Sequence, residues 1–404
     1  MFSPTPSLRV LFVVGYLRGN DGITSHLMDL AAGLQAHGWT VALASCMKEE
    51  LAHTVRGPSW FEERGVRHYY VPFPDSHRPD YRTLDIVRAW PTLRKALRDF
   101  RPDLLHLHAL SLAPYACLQR LLGGVPYVTT CHIEPRTDSL QTRLGASLSR
   151  VSPSFFGNRY VAVSTEMQVA LSRGLGVPNS RICTIHHGVD DDHFRPPTPE
   201  ERSSARAAFG IDPDDFTVST IGRLNPVKRQ DLLIEATARL RERGIRATAL
   251  IAGSGDWEDF LHRQIADVGA TDYVKMLGFS DARTVLWASD TLALLSSREA
   301  FALVIPEAMF CGVVPVRTPA AGVHDQIQDG VNGFIVPFDA PEALANRLGE
   351  LATDPTRRAE MGTAARRFVQ HRYTTDAMVR NTISLYEEVL ETAGTSSPVP
   401  SLRE

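Results

Sequence analysis

Runs of consecutive apolar residues, each followed by apolar residues at helical spacing, recur along nearly the whole chain and restrict its fold more than any other feature. Leu8 to Val14 reads LRVLFVV, apolar at odd and even positions alike, which predicts a strand covered on both faces in a parallel sheet. Leu27, Leu30, Ala31 and Leu34 then predict a helix, with Thr24 or Ser25 as its cap and Gly38 as its stop, before a strand over 40–44. Further strands are predicted over 104–108, 127–130, 160–163 and 182–186. After a Pro-rich and acidic stretch between Phe194 and Asp214, read as a linker, the grammar repeats with strands over 218–221, 248–251, 274–277, 292–295, 313–316 and 333–336. The expected fold class is α/β, two Rossmann-like domains over 1–195 and 196–375, with a C-terminal helix and tail over 376–404, the helix packing back on the first domain.

Composition excludes several functions. A formal net charge of −3 gives no global basic field for nucleic acid. The five cysteines contain no CxxC pair, which disfavours zinc and suits reduced thiols. The apolar run Val10 to Tyr16 is far shorter than the roughly 18 residues of a membrane span, so a cytoplasmic protein is expected, at most peripheral to the inner membrane face. The segment Arg88 to Arg101 is amphipathic and basic; burial of its apolar face on its own sheet is favoured over contact with lipid. Only four lysines occur, Lys48, Lys95, Lys228 and Lys275, which draws attention to each.

Ligands of open parallel sheets bind beyond the carboxyl ends of the strands, so the loops there carry the chemistry. One such loop, Gly222-Arg223-Leu224-Asn225-Pro226-Val227-Lys228, sets two cations beside the start of a helix, a combination suited to a diphosphate without a metal. A second runs from Arg298 to Ala308 and holds Glu299 and Glu307, eight residues apart, whose carboxylates suit vicinal sugar hydroxyls. Taken singly, each also reads as ordinary solvated or capping charge. Asp190-Asp191-Asp192 reads as a turn rather than a metal site. The loop Pro72 to Tyr81 brings Asp75, His77 and Asp80 together in what reads as ordinary loop, with a polar acceptor as the other reading.

With Gly15 to Gly22, His106-Leu-His108, Thr130-Cys131-His132, Val161 to Ser164, His187-Gly188-Val189-Asp190, Gly253-Ser254-Gly255, Gly330 and Gly333 in matching order, the chain resembles the retaining glycosyltransferases of family 4, which have the GT-B architecture of two facing Rossmann-like domains and an inter-domain cleft. The resemblance implies that Arg223 and Lys228 neutralise the diphosphate of a nucleotide-sugar donor, a UDP-sugar by family analogy. It implies that Glu307 takes the ribose, that Glu299 with the backbone of Ala300, Phe301, Ala302 and Leu303 holds the sugar, and that Met276 and Gly253 flank the nucleotide. Gly22 would bring a backbone amide to the diphosphate, with Asn20, Asp21, His108 and His132 on the acceptor side. His132, Arg223, Lys228 and Glu299 are the expected catalytic group, with no metal, no cofactor and no covalent nucleophile. A small acceptor such as an aminocyclitol or other secondary metabolite is expected before a lipid or polysaccharide. Ala300 and Ala302 stand where the family often has glycine, and His187 where it commonly has Asn. Competing readings are a nucleotide-sugar epimerase and a regulator that binds nucleotide-sugar without turnover. A dehydrogenase is weakest, because Gly15, Gly19 and Gly22 are spaced GxxxGxxG. The sequence leaves the oligomeric state open.

Overall fold

The computed structural model describes residues 7–15, 17, 22–47, 58–73, 83–132 and 159–395. Contacts divide the chain into two units, Met1–Gly188 with Thr375–Glu404, and Val189–Thr374. In the first, strands β1 (Arg9–Val14), β2 (Thr40–Ser45), β3 (Arg67–Tyr70), β4 (Leu104–Leu107), β5 (Tyr127–Cys131), β6 (Arg159–Ala162) and β7 (Ile182–Thr184) form a parallel sheet in the order β3-β2-β1-β4-β5-β6-β7. Strand β1 shows why its text is apolar throughout: Val10, Phe12 and Val14 enter one core, while Leu11 and Val13 enter the other. Helix α1 (Gly22–Ala36) covers the first face; α2 (Pro58–Glu62) adds Phe61 to the same core. Helices α3 (Thr83–Phe100) and α4 (Ala113–Gly123) cover the second face, and α5 (Thr165–Val169) follows β6.

Two details depart from the sequence reading. Helix α1 begins at Gly22, so Thr24 and Ser25 lie inside its first turn rather than capping it, and Thr24 is buried. The strand Arg67–Tyr70 was not predicted: it is an edge strand with half-exposed polar side chains, and such a strand lacks the apolar run that marks a central one. The apolar face of the basic segment 88–101 is packed on its sheet through Ala89, Leu93, Leu97 and Phe100.

In the second unit, β8 (Phe216–Ile221), β9 (Ala247–Ala252), β10 (Val274–Gly278), β11 (Thr291–Leu294), β12 (Val314–Arg317) and β13 (Phe334–Ile335) are parallel in the order β10-β9-β8-β11-β12-β13. The helices are α6 (Pro199–Ala208), α7 (Gln230–Glu242), α8 (Glu258–Asp267), α9 (Ala282–Ala288), α10 (Val304–Phe310), α11 (Val323–Gln326), α12 (Pro341–Thr353) and α13 (Pro355–Val369). The stretch 194–214 is not a linker. Thr198 and Glu201 close a capping box at α6, Arg195 pairs with Glu201 at 2.6 Å, and Arg202 reaches Asp290 at 2.9 Å, which fastens the segment to the unit. The division falls between Gly188 and Val189 instead of after 195, because the Val189 N–H donates to the Tyr373 carbonyl at 2.8 Å.

The chain then returns to the first unit as α14 (Thr375–Thr395), whose Met378, Val379, Leu385, Tyr386 and Val389 join the core containing Phe12 and Leu30. Contact with α1 is close enough to require a glycine: a Cβ on Gly33 would lie 2.2 Å from Val379 Cγ2. No helix among the described residues is long and apolar enough to cross a membrane.

Candidate active site

In the second sheet the order reverses between β8 and β11, since β9 and β10 lie on one side and β12 and β13 on the other. Loops leaving two such strands diverge and open a crevice at their carboxyl ends. The loop after β8 carries Arg223 and Lys228, the loop after β11 carries Glu299, and the structure brings the last two together: Lys228 Nζ donates to Glu299 Oε1 at 2.5 Å. Both are partly buried, with side chains 25% and 12% exposed. The Asn225 side-chain oxygen accepts from the N–H groups of Val227 and Lys228 at 3.1 Å each, and the Ser297 N–H donates to the Val227 carbonyl at 2.8 Å, so backbone bonds hold the two loops in register. Gln230 Nε2 donates to the Arg223 carbonyl at 2.8 Å and fixes the far side of the turn.

Gly253 follows β9 with φ of +140°, and a Cβ there would lie 1.9 Å from the Gly222 carbonyl oxygen. Main chain therefore packs on main chain beside the two cations, where no larger residue fits. Met276 lies half-buried on β10, whose Gly278 carbonyl accepts from the Gly253 N–H at 2.7 Å. Ala300, Phe301 and Ala302 are buried, Leu303 is half-buried, and Glu307 stands in the first turn of α10. Gly22 opens α1; Asn20, Asp21 and the stretch from 74 to 81 with Asp75, His77 and Asp80 lie outside the described residues. Asp190 forms a turn, its Oδ1 accepting from the N–H groups of Asp192 and His193 at 3.1 and 3.0 Å.

The first unit contains a cluster that the sequence reading found only in part. His108 after β4 and His132 after β5 are buried beside His26 of α1, His106 of β4 and His187. His108 Nδ1 lies 2.9 Å from His132 Nε2, and His132 Nδ1 lies 3.1 Å from His187 Nε2. His106 is held by the Tyr386 hydroxyl at 2.5 Å and the Thr130 hydroxyl at 2.7 Å. Loss of hydration pushes His26 down to about 4, and His106 to about 3, where the His26 charge adds to the effect. The same desolvation holds His108, His132 and His187 well below the usual histidine range. All five are neutral near pH 7, each with one N–H and one lone pair, so 108, 132 and 187 form a chain that donates in a single direction.

Nitrogens of His26, His108 and His132 lie within 4.8 Å of one another, the closest group of potential metal ligands among the described residues. The His108 and His132 rings are within 15° of parallel with centroids 5.2 Å apart, and His108 Nδ1 faces His132 Nε2 across the bond. A metal would have to break that bond and turn a ring before the lone pairs converged. His26 had a detectable signal, since His26, Leu30 and Leu34 fall four residues apart on the buried stripe of α1.

Two parallel-sheet units, each with loops at the carboxyl ends of its strands, define a doubly wound α/β protein. Comparison with known families supplies the particular one. Residues 20–193 match the family described as Glycosyltransferase Family 4, and residues 201–368 the family described as Glycosyl transferases group 1. The D-inositol 3-phosphate glycosyltransferase of Saccharomonospora viridis is 30% identical over 310 residues, covering 71% of this chain and 70% of that protein. Its counterpart in Rhodococcus erythropolis is 28% identical, covering 69% and 67%. Among solved structures, Anabaena HepE in complex with UDP has a TM-score of 0.80 at 21% identity, covering 94% of this chain and all (100%) of that one. A glycosyltransferase from Rickettsia africae has a TM-score of 0.81 at 20% identity, covering 96% and 100%. The chain belongs to glycosyltransferase family 4: it is a glycosyltransferase with the GT-B fold.

Proposed function

We infer that the protein moves a sugar from a UDP-sugar to a hydroxyl of a small polyol, with retention of anomeric configuration and without a metal at the diphosphate. The observation that carries this reading is the Lys228–Glu299 pair at the β8/β11 reversal, a cation for phosphate touching a carboxylate for sugar hydroxyls. The donor class is supported by HepE, solved with UDP and with UDP-glucose, and the acceptor class by relatives named for D-inositol 3-phosphate. A cyclitol or aminocyclitol fits that name.

In this reading Arg223 and Lys228 stabilise the negative charge that grows on the departing diphosphate. The sugar C1–O bond to phosphate breaks, a bond from C1 to the acceptor oxygen forms on the same face, and the hydroxyl proton passes to the departing phosphate oxygen. Glu307 accepts from the ribose, Met276 and Gly253 flank the nucleotide, and Gly22 donates a backbone N–H to phosphate. Glu299 and the backbone of Ala300 to Leu303 hold the sugar; Asn20, Asp21, His108 and His132 serve the acceptor, with His132 as a neutral hydrogen-bonding group.

A thermal-shift panel of UDP, ADP, GDP and TDP with their sugars, run in EDTA, tests the donor, because a ligand that binds only the folded state raises Tm. UDP compounds are expected to stabilise the protein despite EDTA, and D-inositol 3-phosphate or an aminocyclitol is then expected to convert UDP-sugar to UDP plus a glycoside with the donor's anomeric configuration. No shift with any nucleotide at millimolar concentration, or stabilisation that EDTA abolishes, would refute the reading.

A further inference from the structure

Beneath the loop 299–303 lies a fully buried arginine. Arg317 ends β12, and its guanidinium donates to the carbonyls of Ala320 at 2.9 Å and Ala321 at 3.1 Å, and to the side-chain oxygen of Gln326. Gln326, equally buried, turns its Nε2 to the Ala302 carbonyl at 3.0 Å. The same turn meets the loop again at Gly322, where a Cβ would lie 2.7 Å from the Ala300 carbonyl oxygen, and once more through Thr318, whose hydroxyl donates to the Ser296 carbonyl at 2.6 Å.

These contacts fix a direction. A trans peptide unit is planar, with its C=O and N–H on opposite sides. Gln326 draws the Ala302 carbonyl toward the buried arginine, so the Leu303 N–H of that peptide is turned the other way.

We propose that Arg317 and Gln326 are positioning residues for the donor sugar: Arg317 fixes the Gln326 side chain, Gln326 fixes the Ala302–Leu303 peptide, and that peptide presents its N–H to the sugar. The inference rests on the reading that the loop 299–303 holds the donor sugar. It assigns sugar recognition to two residues that do not touch the sugar, and it separates them from nucleotide binding, which the β8, β9 and β10 loops supply.

Gln326→Glu is the informative variant. It keeps an oxygen for Arg317, gaining an ion pair in the fold, but removes the side-chain N–H from the Ala302 carbonyl, which keeps the Ile305 N–H at 3.2 Å. UDP and UDP-glucose binding are measured by calorimetry and UDP release from UDP-glucose is followed, alongside Tm; Gln326→Leu, which removes both bonds, and Lys228→Ala are run beside it. The expected result is a Gln326→Glu Tm within 2 °C of wild type or higher, UDP binding within twofold, and both UDP-glucose affinity and UDP release reduced at least tenfold. A purely structural role moves UDP and UDP-glucose together and follows Tm, with Gln326→Leu worse than Gln326→Glu in every readout. That pattern, or UDP-glucose binding and turnover within twofold of wild type, overturns the proposal. If Lys228→Ala also leaves UDP binding and UDP release intact, the donor-site reading itself has failed; if only the Gln326 variants are silent, the positioning role alone has.

Discussion

Replacing Glu299 with Gln tests the donor site through the charge it removes. Without donor, the Lys228 ammonium is held by the Glu299 carboxylate at 2.5 Å, so an incoming diphosphate must displace that contact and approach a like charge. A phosphate bound to Lys228 would sit about 5 Å from the carboxylate, and at an effective dielectric of about 20 the repulsion is roughly 3 kcal/mol before screening. Mobile ions and the partial exposure of both side chains reduce it to about 1.4 kcal/mol, which is tenfold in affinity. Glu299→Gln is therefore expected to bind UDP about tenfold more tightly than wild type, with a shallower salt dependence. UDP-glucose is expected to gain little, because the charge-assisted bond from Glu299 to a sugar hydroxyl is worth about 1.5–3 kcal/mol and is lost at the same time. Turnover should fall by about a hundredfold. Isothermal calorimetry of UDP and UDP-glucose at two salt concentrations, with a turnover assay, gives all three quantities. UDP binding that is unchanged or weaker in a variant with the wild-type Tm would refute the argument.

Other outcomes follow from the packing and the buried histidines. Gly33→Ala, despite the helix propensity of alanine, is expected to destabilise the first unit by about 1–3 kcal/mol, because the new Cβ meets Val379 at 2.2 Å. Gly33→Ala with Val379→Ala should be more stable than the sum of the single changes by about 2 kcal/mol; urea unfolding followed by the fluorescence of Trp39, which lies 5.3 Å from Tyr386 of α14, reads this directly, and simple additivity would sink it. Acid should loosen the same unit. His26 titrates at about 4 when folded and at 6.5 in the unfolded chain, so the unfolded state binds more protons between those values and stability falls as pH drops through the window. The loss from His26 alone reaches about 3 kcal/mol at pH 4, and equal urea midpoints at pH 7.5 and 5 would contradict it. Finally, Gly253→Ala is expected to abolish UDP binding, since its Cβ would enter the Gly222 carbonyl at 1.9 Å; a calorimetric titration showing wild-type affinity would be incompatible with that contact.

What the sequence disclosed was set by range. Central strands such as β1 and β9 are buried on both faces, so burial is written into consecutive apolar residues, and both sheets were legible apart from the edge strand Arg67–Tyr70. The cations and carboxylates of the second unit stood in short motifs beside glycines and were visible for that reason. The meeting of Lys228 with Glu299 crosses 71 residues and depends on strand order, which no local pattern contains. Arg317 stands in no motif; only the closing of the 318–322 turn shows it fully buried. The histidine cluster draws on four separate segments, and each member alone resembles an ordinary core imidazole. The segment 194–214 reads as a linker in sequence because Pro and Asp mark both linkers and helix starts; the capping box at Thr198 decides between them.

The bond between Val189 and Tyr373 has an evolutionary and practical meaning. It brings the first and last residues of the second unit side by side, so that unit is a cassette spliced into its host through one joint rather than appended at an end. Recombination between relatives can therefore replace residues 189–374 as a block, leaving the host sheet and its returning helix intact. A chimera cut at the same joint offers the laboratory the same exchange.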